Sequence, residues 1–301
     1  MHRKVMKSQR GAVVSFAVLF TLAMLGAVLG GAGPHDVMAA GAVTSPARLV
    51  GPLGFGSPDQ PYGVRRPVTD ADRAAIRSYR SGRRQASFTT SFTDPVAFGK
   101  DWVSDEDDKV DLLSCRRTAN AVSSAAGLRL ETRDATDCWN KWSTAHIASK
   151  AKYSYGYFET SLKIADIDGM NNAFWVTTDD NYEIDPDEIH YPNLDHIALH
   201  FWPPKGSAEK HSSMGYNARL SQNLSAGFHD YGFLWTPTDL IFAVDGEAIA
   251  AISTNGMIKG PITLRYSTAL ANWAGKVPDH PEGHDMLVRS LQFIPYDPAR
   301  K

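Results

Sequence analysis

The sequence predicts an all-β sandwich in one domain spanning residues 87–301. Three observations carry this. Short runs alternate apolar and polar side chains with a period of two. Turn-forming residues separate these runs. No sustained 3.6-residue apolar stripe appears after residue 87. About 215 residues are enough to bury a substantial core.

Residues 1–39 read as a targeting segment. Arg3, Lys4, Lys7 and Arg10 precede an apolar run at 11–33, and Val37 and Ala39 fit a small-residue cleavage pattern. The run is long for a signal core, so the competing reading is an uncleaved membrane anchor. Either way the remainder is expected outside the cytoplasm, secreted or periplasmic. Residues 40–86 carry prolines, glycines and eight arginines, and read as a linker or N-terminal arm. A short helix after the cap-like Thr69 is the one regular element expected there.

Within 87–301, "YGYFETSLKI" shows the alternation most clearly. Tyr157, Glu159, Ser161 and Lys163 fall on one face, and Phe158, Thr160, Leu162 and Ile164 on the other. "HIASKAKY", "AFWVTT", "HIALHFW", "HDYGFLWT", "ITLRYSTAL" and "MLVRSLQFIPY" read as further strands. Asp245-Gly246, between "IFAV" and "EAIAAI", marks a hairpin. Cys115 and Cys138 are the only cysteines. An even pair in an exported chain suggests one disulfide, the alternative being two buried thiols. Neither their spacing nor the strand-like "HIALH" resembles a metal motif, so no metal site is expected.

Residues 87–301 hold 19 basic and 29 acidic side chains, a net of −10. Such a domain repels nucleic acid and anionic membrane surfaces, which leaves neutral partners favoured. All seven tryptophans lie in it.

The densest acidic stretch puts six carboxylates into residues 179–188. On a strand, Glu183, Asp185 and Asp187 would share a face and Glu188 would oppose them. Pro186 lacks an N–H and disturbs a ladder. A bulge at Pro186-Asp187 would bring Glu188 onto the face of Glu183 and Asp185. Two carboxyls about 5–5.5 Å apart suit retaining glycoside hydrolysis, one ionised to attack and one protonated to donate. Crowding splits their pKa values in that direction. From the residues alone, a solvated acidic loop and a calcium loop stay open beside catalysis, although the EF-hand glycine and spacing are absent.

At this point the chain resembles glycoside hydrolase family 16. "YGYFETSLKI", "NNAFWVTT", "YEIDPDE", "HIALHFW", "FHDYGFLWTPTDLIFAVDGE", "ALANWAG" and "MLVRSLQFIPYD" follow one another in the family's order, over roughly residues 88–297. The resemblance implies a β-jelly-roll sandwich with a concave substrate cleft and endo-cleavage of a β-linked polysaccharide with retention. It implies Glu183 as nucleophile, Glu188 as general acid/base and Asp185 as assisting carboxylate. Two departures stand out. Tyr182 replaces a small residue, and Pro186-Asp187 replaces an apolar pair, which adds a carboxylate that could compete for the acid role.

Sugar rings stack on aromatic faces and sugar hydroxyls need polar partners. Candidate substrate contacts are therefore Trp175, His200, Asn171, Asn272, Trp273 and Trp235. A neutral β-1,3- or β-1,3/1,4-glucan is the expected substrate. A galactan (agarase or carrageenase type), transglycosylation, or non-catalytic glycan binding are the alternatives. No cofactor is required by this chemistry, a structural calcium is left open, and a monomer is expected.

Overall fold

A computed structural model of the chain describes residues 46–81 and 86–300. The targeting-like segment lies outside them. No helix among the described residues is long and apolar enough to cross a membrane.

The elements run β1 (Leu49–Gly56), β2 (Val64–Arg66), helix α1 (Asp70–Ser81), β3 (Phe88–Thr90), helix α2 (Pro95–Asp101), β4 (Trp102–Ser104), β5 (Ser114–Arg116), β6 (Ala121–Ser124) and β7 (Gly127–Leu130). They continue with β8 (Arg133–Asp134), β9 (Trp142–Thr144), β10 (His146–Tyr153), β11 (Gly156–Lys163), β12 (Met170–Thr178), β13 (Tyr182–His190), β14 (Leu194–Phe201) and β15 (Ser212–Leu220). The last are β16 (His229–Trp235), β17 (Asp239–Val244), β18 (Glu247–Ser253), β19 (Ile262–Leu270) and β20 (Met286–Pro295).

Two antiparallel sheets pack face to face. One has the order β1-β15-β14-β13-β12-β19-β10-β4; the other runs β2-β18-β17-β16-β11-β20-β7-β6, with β3 added on β20. Between them lies the main core, whose largest members include Phe158, Phe174, Phe233, Phe242, Tyr266 and Trp235. The all-β sandwich predicted from the alternation is the fold observed. The hairpin at Asp245-Gly246 is there too, both residues at positive φ (51° and 86°), as the tight turn between β17 and β18 requires.

Residues 46–81 are not a loose tether. β1 extends the first sheet against β15, and β2 extends the second against β18. At the start of α1, Thr69 and Asp72 cap each other. Thr69 N donates to Asp72 Oδ2 at 2.7 Å, and Asp72 N donates to Thr69 Oγ1 at 3.2 Å. α1 then buries Ile76 and Tyr79 on Tyr157, Leu234 and Ile241. Arg80 at its end reaches Glu159 and Asp230, each at 2.6 Å. So the outer face of β11, polar in the sequence pattern, is covered rather than solvated.

Cys115 and Cys138 form a disulfide, with Cα atoms 6.3 Å apart and a sequence separation of 23. It ties β5 to the loop before β9. Closing a loop of that length stabilises by about 3 kcal/mol in the chain-entropy account.

Candidate active site

Most of the acidic stretch is strand rather than loop. Asp179 and Asp180 lie in the turn before it, and the other four carboxylates lie on β13, an interior strand between β12 and β14. The ladder slips at the proline. On β12, Phe174 pairs with Asp187 and Val176 with Ile184, so Trp175 alone faces Asp185 and Pro186. On β14, Asp185 pairs with Ala198 and Glu188 with His196, so Ile197 alone faces Pro186 and Asp187. That is a bulge of one extra residue. It turns Glu188 to the outer face with Glu183 and Asp185. Tyr182 faces inward, packed on Tyr62 and Phe201 with ring centroids 5.4 and 5.3 Å away.

The outer face of this sheet carries a cleft lined by Glu183, Asp185, Glu188, Asn171, Trp175 and Trp273, with Trp202, Lys109, Arg116 and Ser267 around them. Asn171 Nδ2 donates to Glu188 Oε1 at 2.7 Å. His200 Nε2 lies 3.2 Å from Asp185 Oδ2. Trp175 is half-buried, with its Nε1 donating to Ser267 Oγ at 3.1 Å and its ring stacked near His146. Trp273 is 53% exposed, above His190.

Burial and the neighbouring Asp185 charge push Glu183 up to about 7, against the opposing pull of His200 and of the Trp202 indole N–H, which donates to it. The same two causes push Glu188 up to about 8, despite its bond from Asn171. For His200, burial would lower the value. The hydrogen bond and charge of Asp185, with Glu183 and Glu188, outweigh it and raise His200 to about 9. Both glutamates are thus held above the ordinary carboxylate range, and His200 above the ordinary imidazole value, by one shared cluster of charges. Because these groups titrate together, the values belong to the cluster.

Two expectations need correction. Trp235 does not line the cleft. It is fully buried on β16 in the other sheet, edge-on to Tyr155 and against Gly260. Asp187 cannot share the acid role. The bulge that turns Glu188 outward turns Asp187 into the core, where it is 2% exposed. There it meets Asp195 of β14. Burial and the Asp195 charge hold Asp187 well above the usual carboxylate range, and burial raises Asp195 to about 8. Asp187 Oδ2 and both Asp195 oxygens find no other donor, so the pair is satisfied by a shared proton. Asn272 sits exposed in the turn beside Trp273 and is not among the residues lining the cleft.

Sequence reasoning missed Trp202, Lys109 and Arg116. Trp202 closes the quoted run "HIALHFW", but its role emerges only when the connection to β15 folds back over it. Lys109 and Arg116 arrive from a distant loop and from β5.

Glu183, Asp185 and His200 offer ligand atoms within 4.8 Å of one another. Within this trio lies the contact between His200 and Asp185 at the cleft floor. If the glutamates hold these values, kcat/KM for a glycan substrate should be bell-shaped. It should fall below about pH 7 as Glu183 protonates and above about pH 8 as Glu188 ionises. A profile flat from pH 5 to 9 would contradict this.

Comparison with known proteins places the same region. The family described as Glycosyl hydrolases family 16 matches residues 109–288. The chain is 30% identical over 131 residues to the "Endo-1,3-1,4-beta-glycanase EglC" of Rhizobium meliloti (strain 1021), a match covering 42% of this chain and 27% of that protein. It is 29% identical over 195 residues to the "Beta-glucanase" of Paenibacillus macerans, covering 62% of this chain and 77% of the relative. Thus the chain spans about a quarter of the first relative's length and about three quarters of the second's. The laminarinase catalytic domain from Thermotoga maritima MSB8 superposes with a TM-score of 0.61 at 18% identity, covering 71% of this chain and 98% of that one. This last likeness bears on the fold.

Proposed function

The chain belongs to glycosyl hydrolases family 16, and from that premise we propose that it is a retaining endo-β-glycanase acting on a neutral β-1,3- or β-1,3/1,4-glucan. The observation that carries the reading is the bulged β13, which sets Glu183, Asp185 and Glu188 side by side on the floor of an aromatic-edged cleft. The beta-glucanase and laminarinase names among similar proteins support the substrate class.

In this reading Glu183, the more acidic glutamate, attacks the anomeric carbon. Glu188, still protonated, donates to the departing oxygen. A glycosyl ester on Glu183 results. Glu188, now ionised, takes a proton from water, and that water releases the sugar with its β configuration restored. Asp185, 3.2 Å from His200 Nε2, lies beside both glutamates and disfavours the ionised form of each. Trp175 and Trp273 offer faces for sugar rings. Nothing in these steps needs a cofactor.

A polymer bearing anionic groups, of carrageenan type, is the second reading. Lys109 in the cleft wall favours it, whereas Arg116 is already paired with Asp107 at 3.1 Å. We further propose that the protein is exported, which a disulfide and the basic-then-apolar segment at 1–39 support. It is proposed to act as a monomer.

The test is reducing-sugar release from laminarin, lichenan, xyloglucan, agarose and carrageenan, with and without a chelator, using Glu183→Gln as the blank. Release from laminarin or lichenan that survives chelation is the expected result. Release from carrageenan alone would favour the second reading. Release from none would leave glycan binding without catalysis.

A further inference from the structure

Residues 202–211 connect β14 to β15, and their last member, His211, sits against the catalytic cluster without reaching the reacting carboxyls. His211 Nε2 lies 3.0 Å from His200 Nδ1. The two imidazoles are nearly coplanar, inclined by 15°. His211 also lies flat on Trp202, with centroids 3.8 Å apart and planes 23° apart. The same two neighbours, His200 and Trp202, are the groups that hydrogen-bond Asp185 and Glu183.

We propose that His211 is a positioning residue for the nucleophile side of the site: it accepts the second proton-bearing nitrogen of His200 and holds the Trp202 indole in place for Glu183. This rests on the functional reading above. An imidazolium has two N–H donors and no acceptor. His200 gives Nε2–H to Asp185. Its Nδ1 faces His211 Nε2, and the proposed arrangement puts the shared proton on His200 Nδ1 and the proton of a neutral His211 on its own Nδ1. The charge on His200 favours an ionised Glu183, as does the Trp202 N–H. One side chain thus secures both contacts. The charged and titratable groups around it are His200 from β14 and, through it, Asp185 and Glu183 from β13. Glu209 and Lys210 precede it on its own connection.

The expected consequence of His211→Ala follows. His200 loses its acceptor and holds its charge less well, Trp202 is uncovered, and Glu183 becomes harder to ionise. On the preferred glucan, kcat should fall about tenfold while KM stays within about twofold. The acid limb of the pH profile should move upward by about half a unit. His211→Gln, whose amide oxygen can accept from His200, should recover most of the rate and the wild-type limb. His211→Phe keeps a ring for Trp202 but offers no acceptor, and should not recover the limb. Nitrogen-15 histidine spectra of the resting wild-type protein should show His211 protonated on Nδ1.

The proposal is overturned if the acid limb of His211→Ala coincides with wild type, or if the Gln variant is no better than Ala while both melt like wild type. It is equally overturned if His211 is found protonated on Nε2. Wild type inactive on every glycan would instead overturn the functional reading, and the resting-state spectrum would still decide the hydrogen bond.

Discussion

Replacing Glu183 with Gln is expected to reduce kcat on the preferred β-glucan by about 10⁵-fold. An amide cannot attack the anomeric carbon, and nothing else on the outer face of β13 stands in the same place. Asp185 is engaged by His200, and Glu188 is held by Asn171 on the leaving-group side. The fold should not suffer, because burial and the Asp185 charge already disfavour ionised Glu183. A melting temperature equal to or above wild type is therefore expected with the lost rate. A small anion such as azide supplied to Glu183→Gly should enter from the nucleophile's side and yield the α-glycosyl azide. Residual hydrolysis above a few per cent, or a β product, would remove Glu183 from the nucleophile role.

Replacing Glu188 with Gln should have the second largest effect, with a different signature. Loss of a general acid typically costs about 10²–10⁴-fold. The cost should be near the upper end on polysaccharide, whose leaving alkoxide needs the proton. It should nearly vanish for glycosylation by a dinitrophenyl glycoside, whose leaving group needs none. The glycosyl-enzyme would then accumulate, because no base activates water. Azide should accelerate turnover and give the β product, the opposite outcome to that at position 183. Asp187→Asn should leave the leaving-group dependence unchanged, since that side chain lies in the core. If Asp187→Asn were the more damaging on poor leaving groups, the register around the bulge would be wrong.

How much of this was legible beforehand depended on whether the signal was local. Period-two alternation is local, and it located β10–β12, β14 and β16–β20 closely. The proline in "EIDPDE" is local too, and it pointed to the bulge. β15 escaped because Gly215 breaks its pattern. That glycine leaves room for Phe55 of β1 and for Ile197 O, which a Cβ would strike at 1.9 Å. The arm at 46–81 escaped because its arginines look like solvent-facing charge. Their partners, Glu159, Asp230 and Asp239 among them, lie far away in sequence. Trp235 was misplaced although its parity with Tyr231 and Phe233 marked it as core, all three being fully buried on β16. His211 left no trace, since a histidine in a polar connection gains meaning only from what it folds against.

The proton shared by Asp187 and Asp195 sets the conditions under which the protein keeps. A carboxyl that titrates near 4 in the open chain but far higher in the fold binds an extra proton only when folded, and only between those two values. Asp187, Asp195, Glu183 and Glu188 are all raised in this way. For these four, each step upward in pH from about 4 towards 8 favours the open chain, whereas His146 and His190, lowered by burial to about 2 and about 4, act the other way below about pH 6.5. Asp72 and Asp245, held below their usual values, also oppose the four and lose their contribution only in stronger acid. Melting temperature should accordingly decline from about pH 6.5 to pH 8, where the histidines of the open chain have given up their protons, and a rise over that interval would contradict the raised carboxyls. The reaction is expected to run fastest near the alkaline end of that same interval. Operational lifetime rather than turnover would then limit use at the catalytic optimum.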